Sequence, residues 1–120
     1  MFGFSKKVEI KTMDINQVVD IVDQNPSQHI IICADEQKEY DALRIPEAEC
    51  LPLRLIKNIE EYYPEKDITY YVYAINPAIS ERAVKLMTKK GYNVYDLGSF
   101  MDYNGYEDGM NARKKKRRKR

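Results

Sequence analysis

Apolar positions along the chain change their period several times, and the changes mark out the elements. From Asp14 to Val22 they fall at Ile15, Val18, Val19 and Val22. This is the i, i+3, i+4, i+7 spacing of a helix that buries one stripe, with Asp14 or Thr12 as its cap. Asn25-Pro26-Ser27 ends that helix. His29 to Ala34 (HIIICA) is a short continuous apolar run rich in β-branched residues, which predicts a parallel strand covered on both faces. Asp35 to Leu43 is polar apart from Tyr40 and Leu43, three apart, and predicts a short surface helix. Ile45-Pro46-Glu47-Ala48 reads as a turn and Cys50-Leu51-Pro52-Leu53 as a brief edge strand, where proline is tolerated. Leu55 to Tyr63 predicts a helix with Leu55, Ile59 and Tyr62 on one side, closed by Pro64.

The chain is organised around Asp67 to Tyr92 (DITYYVYAINPAISERAVKLMTKKGY). Asp67 to Ala74 is the strongest strand, dense in Ile, Thr, Tyr and Val. Strand alternation puts Tyr71 and Tyr73 on one face and Tyr70 on the other, with hydroxyls reaching polar edges. A seven-residue loop, Ala74 to Ser80, precedes a helix capped by Ser80, buried through Ala83, Leu86 and Met87, and stopped at Gly91. Glu81 suits the positive end of that helix, and Lys89 and Lys90 its negative end. Asn93 to Leu97 predicts a last short strand ending at Gly98-Ser99. Phe100 to Tyr106 predicts a short terminal helix or turn that packs Phe100 and Tyr103 onto the body. Strands alternating with helices imply right-handed crossovers and a mostly parallel sheet with helices on both sides. In such folds a strand aims a loop, and the following helix points free amides at whatever lies above it.

With 120 residues, 43% of them hydrophobic, the chain suits one compact domain. No apolar stretch is long enough for a signal peptide or a membrane span, which leads to the expectation of a cytoplasmic protein. Cys33 and Cys50 lie in strand-like segments without CxxC spacing, and His29 is the one histidine. The thiols read as reduced core residues, and neither a metal nor a cofactor is indicated. His29 reads as a solvent-facing or hydrogen-bonded strand residue. The cluster Asp35, Glu36, Glu39 and Asp41 reads as solvated charge rather than a cation site.

The net charge of +1 conceals a division. Arg113 to Arg120 supply 8 of the 20 basic residues, leaving 12 basic against 19 acidic in residues 1–112, about −7. Residues 110–120 read as a disordered basic tail on an acidic domain spanning 1–109. Arg113, Lys114, Lys115, Lys116, Arg117, Arg118, Lys119 and Arg120 are candidates for contact with nucleic acid or an anionic membrane, or for folding back on the body. No aromatic residue is interleaved among them, so base stacking is not indicated.

Taken in order, Glu39-Tyr40, Arg44-Ile45-Pro46-Glu47-Ala48 and Leu51-Pro52-Leu53 resemble the EY, HIPGA and IPL run of the rhodanese-like domain family. Tyr71-Val72-Tyr73, Ser80, Gly91-Tyr92 and Val94 to Ser99 resemble its VVYC, RS, GY and V-x-x-L-x-G-G elements. The resemblance covers Ile10 to about Tyr106. It implies a three-layer α/β domain with a mostly parallel central sheet of about five short strands flanked by helices.

The family carries sulfur as a persulfide on a cysteine that follows the central strand, in a CxxGxRS loop. Here the resemblance places Ala74 at the cysteine, Pro77 at the glycine and Ile79 at the arginine, with Ser80 retained. Cys33 stands where the family usually has aspartate and Asp35 where it usually has arginine. Sulfur loading needs a thiolate, and an alanine methyl supplies none. The resemblance therefore implies a catalytically silent module. Its binding candidates are Tyr73, Ala74, Ile75, Asn76, Pro77, Ala78, Ile79 and Ser80, with Tyr73 the best placed to line a tyrosine-rich pocket. The expected partner is a protein or a weakly held small anion. Residual sulfur transfer through Cys33 or Cys50 is the enzymatic alternative.

Overall fold

The computed structural model describes residues 8–114. Its centre is β4 (Thr69–Ala74), whose β-branched and aromatic residues fit a pleated surface covered on both sides. It pairs in parallel with β2 (His29–Cys33) and β5 (Asn93–Ser99). Two-residue strands, β1 (Lys11–Thr12) beside β5 and β3 (Glu49–Cys50) beside β2, complete a sheet of order β1-β5-β4-β2-β3. Every pairing between these strands is parallel.

Period-two alternation along β4 divides the core into two layers. Tyr70, Val72 and Ala74 join Ile32 and Val94 on one face. They pack against Ile56 of α3 (Leu53–Ile56) and against Ala83, Val84 and Met87 of α4 (Pro77–Lys89). Tyr71 and Tyr73 join Ile31, Cys33 and Leu97 on the other face. Val18 and Val22 of α1 (Val18–Gln24) cover that face, together with Ile15, Phe100 and Tyr103. Each large side chain removed from water contributes about 1.5–3 kcal/mol. The tyrosines keep partners for their hydroxyls: Tyr70 donates to Glu65 O at 2.6 Å, Tyr92 to Tyr63 O at 2.6 Å and Tyr103 to Tyr106 O at 2.8 Å. His29 Nδ1 lies 3.0 Å from the Tyr71 hydroxyl, so it is a hydrogen-bonded strand residue.

Several elements depart from the pattern-based expectation. The helix expected over Leu55 to Tyr63 divides into α3 and a 3-10 turn at Ile59–Glu61. Pro52 at the N-cap starts the helix two residues early, and Asn58 (φ −114°, ψ 27°) breaks it. Tyr62 is consequently 48% exposed and does not share the buried side with Ile59. The first helix begins as a 3-10 turn at Ile15–Gln17, capped by Asp14 Oδ1, which accepts from Asn16 N at 2.9 Å.

The loop expected over 74–80 shrinks to Ile75 and Asn76. Ala74 is the last residue of β4, and Asn76 rather than Ser80 caps α4, its Oδ1 accepting from Ala78 N at 2.9 Å. A residue before proline is pushed out of the helical region, and proline at the first helical position loses no hydrogen bond. Asn76-Pro77 therefore outcompetes Ser80 as the start. The buried stripe of α4 becomes Ser80, Ala83, Val84 and Met87, with Leu86 half-buried.

Strand β5 runs past Leu97 to Ser99 through an irregularity: Val72 faces Asp96 but Tyr73 faces Gly98. The turn this needs falls on Gly98, at φ 77°, where a side chain is strained. Asp96 Oδ1 then accepts from both Gly98 N and the Ser80 hydroxyl, each at 2.8 Å. That carboxylate fastens the first turns of α4 to β5. Ser80→Ala should lower the unfolding free energy by about 1–3 kcal/mol in urea titrations. Most of the loss should vanish when the same change is made in an Asp96→Ala background.

Candidate functional site

In parallel sheets, ligands bind beyond the carboxyl ends of the strands. Here β2 and β4 end side by side, with Ala34 N donating to Tyr73 O at 2.9 Å. The segments leaving them diverge and enclose a cavity of about 490 Å³. Ala34, Asp35, Glu36 and Glu39 form the wall from β2 and α2 (Gln37–Ala42), while Leu53 and Arg54 come from α3. Ile75, Asn76 and Ile79 close it from the β4–α4 turn.

Three of the eight residues expected at the site therefore line it. Tyr73 does not: it is buried on the opposite face of the sheet, where its hydroxyl accepts from Ile45 N at 3.1 Å. Ala74 is fully buried among the residues beneath α4. Pro77 and Ala78 are exposed and do not line the cavity, and Ser80 is buried against Asp96. Strand alternation explains the first two, since consecutive β4 residues point into opposite core layers and away from the loop mouth.

Asp35 corrects the expectation of solvated charge. It is 8% exposed, and its Oδ2 accepts from Ile75 N at 3.0 Å and from the Cys33 thiol at 3.5 Å. Burial raises its carboxyl above the ordinary value, against the lowering effect of the Ile75 amide. The amide an anion would use after β4 is thus already held by a carboxylate of this chain. Ala78 N goes to Asn76 Oδ1, Ile79 N goes to Asn76 O at 2.9 Å, and Pro77 has no amide hydrogen to offer. Arg54 Nε donates to both Glu36 oxygens, at 3.2 and 2.9 Å. Three carboxylates against one paired guanidinium leave the cavity lining acidic.

The cysteines lie on neighbouring strands, Cys33 opposite Cys50, and both are free. Burial, with the Asp35 charge, pushes the Cys33 thiol far above its ordinary range. Burial and the nearby acidic groups push Cys50 up to about 11. Both are protonated at neutral pH and poor nucleophiles. Among the described residues no group of three or more His, Cys, Asp or Glu is arranged to hold a metal, and no helix is long and apolar enough to cross a membrane.

Residues 110–114 bond to the rest of the chain. Met110 N donates to Asp41 O at 3.2 Å and Asn111 N to Ala42 O at 2.7 Å. Arg113 pairs with Glu107, whose side chain is 4% exposed and whose carboxyl Arg113 holds below the usual range. Lys114 Nζ lies 5.5 Å over the Tyr106 ring and 3.4 Å from Asn104 O. Two of the eight candidate tail cations are therefore placed against the domain, while Lys115–Arg120 lie outside the described residues.

Sequence reasoning named the turn but missed Asp35, Glu36, Glu39, Leu53 and Arg54 as its companions. The usable signal was topological, since Asp35 closely follows a buried strand that neighbours β4.

No family model matches this sequence, and no curated protein sequence matches it. Solved structures do resemble it. A Bacillus halodurans protein superimposes with a TM-score of 0.73 at 18% identity, over 85% of this chain and 79% of that one. An Escherichia coli rhodanese solved with anions gives 0.62 at 23% identity, over 68% of this chain and 98% of that one. A rhodanese-related protein of Thermoplasma volcanium gives 0.60 at 17% identity, over 74% and 84%. The molecule is a three-layer α/β domain with a parallel sheet, and that domain has the rhodanese-like fold.

A carboxyl held above its ordinary value makes the folded state bind its proton more tightly than the unfolded state. Stability associated with Asp35 therefore falls as pH rises from about 3.8, the ordinary carboxylate value. Asp35→Asn keeps an acceptor for Ile75 N and removes the buried charge. It should be more stable than the parent chain near pH 7, with the advantage shrinking toward pH 3, as read from urea midpoints at each pH.

Proposed function

We propose that this domain is a rhodanese-like binding module without sulfurtransferase chemistry, which engages its partner through the cavity beside Ile75, Asn76 and Ile79. The observation that carries the reading is a buried Ala74 followed directly by an Ile75 amide held by Asp35. Where the resemblance places a persulfide cysteine stands a fully buried methyl group, and the next amide is held by a buried carboxylate. Persulfide transfer needs an exposed thiolate and donors for the transferred anion. The E. coli neighbour was solved with anions; the β4–α4 turn of this chain commits its amides to Asp35 and Asn76. That argues against an anion as the guest and for a partner that tolerates an acidic rim. Two free thiols on adjacent strands fit a reducing compartment, which supports action in the cytoplasm.

A thiosulfate-to-cyanide sulfur transfer assay should show no turnover above the uncatalysed rate. Turnover lost in Cys33→Ser or Cys50→Ser would instead establish a thiol enzyme. In the same preparation, iodoacetamide should leave Cys33 unmodified until denaturant is added, as measured by intact mass.

A further inference from the structure

We infer that the cavity takes a cationic side chain, and that the segment supplying it is Lys115–Arg120 of this same chain. The inference deepens the binding-module reading and rests on it. Asp35 is more than nine-tenths buried, and only its Oδ2 is engaged, by Ile75 N and the Cys33 thiol. Among the described residues its Oδ1 meets no donor, and the side chain lines the cavity. That oxygen is not sealed from solvent, and a charged donor is a stronger partner for it than water. Glu36 and Glu39 add charge of the same sign at the wall, while Arg54, the one cation lining it among the described residues, is already on Glu36. Leu53, Ile75 and Ile79 supply apolar wall against which the methylene stem of a lysine or arginine packs while its head meets the carboxylates.

The occupant follows from charge and reach. Residues 1–112 carry 12 basic against 19 acidic groups, and 115–120 are all cations. The chain passes the end of α2 three residues before Lys114, which itself lies against Asn104, Tyr106 and Glu107. Met110 and Asn111 are bonded to Asp41 and Ala42 at the end of α2, the helix that carries Glu39 one turn earlier, and Arg44 joins Asp108. Helix α2 is about 9 Å long. Six residues beyond Lys114 extend up to about 20 Å before side-chain length is added.

The test compares amide spectra of the ¹⁵N-labelled full-length chain with those of a variant in which the six cations 115–120 are serine, both dilute. Expected differences centre on Glu36, Leu53, Ile75 and Asn76, do not depend on protein concentration, and collapse when salt is raised to about 1 M. Adding a free peptide of sequence KKRRKR to the serine variant should move the same amides in the same direction. Glu36→Gln with Glu39→Gln, both exposed side chains and so compatible with folding, should weaken that peptide by roughly tenfold. Unchanged spectra at these four amides would overturn the inference, as would peptide affinity indifferent to the double substitution. Shifts that grow with protein concentration would overturn the same-chain assignment and make the occupant a second copy. Shifts produced by inorganic sulfate in place of the peptide would return the site to an anion. Sulfur transfer turnover would overturn the binding-module reading alone; an unresponsive cavity with no turnover would overturn the cation alone.

Discussion

The parallel pairing of β4 with both β2 and β5 is the constraint on which the rest of the molecule depends. A parallel sheet cannot be closed by hairpins, so each connection must climb back over a face. That requirement generates the two helical layers and sends the β2 and β4 chains out side by side. The cavity is the space left where those two exits diverge. Its residues come from three segments separated by about twenty positions each in the chain, brought together because neighbouring strands end at the same level.

Asp35 is where this geometry becomes chemistry. The register that puts Cys33 beside Tyr73 also brings the residue after Ala34 within hydrogen-bonding distance of the residue after Ala74. The Ile75 amide is closed by a carboxylate, and the hollow beside it is lined by acidic groups. The same burial that holds Asp35 in place keeps Cys33 protonated. The protonated Cys33 and the acidic cavity are thus two aspects of one arrangement at the ends of β2 and β4.

Asp96 has the equivalent role on the neighbouring strand β5. The irregularity at Leu97 lets a single carboxylate oxygen serve both the backbone of β5 and the Ser80 hydroxyl. Ser80, which the resemblance retains from the family loop, lies in the interior of a helix rather than at the rim. Its hydroxyl holds α4 against the sheet, and Asn76 performs the capping that Ser80 was expected to provide.

The elements readable from the sequence were those whose signal is local and repeated. The β-branched run of β2, the period-two tyrosines of β4 and the stripe of α4 each repeat a preference over several residues, so their type and their faces were determined before any contact was known. The two-residue β1 is too short to repeat anything. The break at Asn58 and the choice of Asn76 over Ser80 were contests between neighbouring signals that packing resolved. The placement of Asp35 was beyond local reading altogether, because a carboxylate in a polar segment looks solvated until a strand some forty residues later is laid beside it. The sequence alone determined an α/β chain with alanine where the resemblance expects a nucleophile. Only the tertiary structure decided that the space beside that alanine is acidic, because burial and long-range pairing, not composition, set the charge a cavity presents.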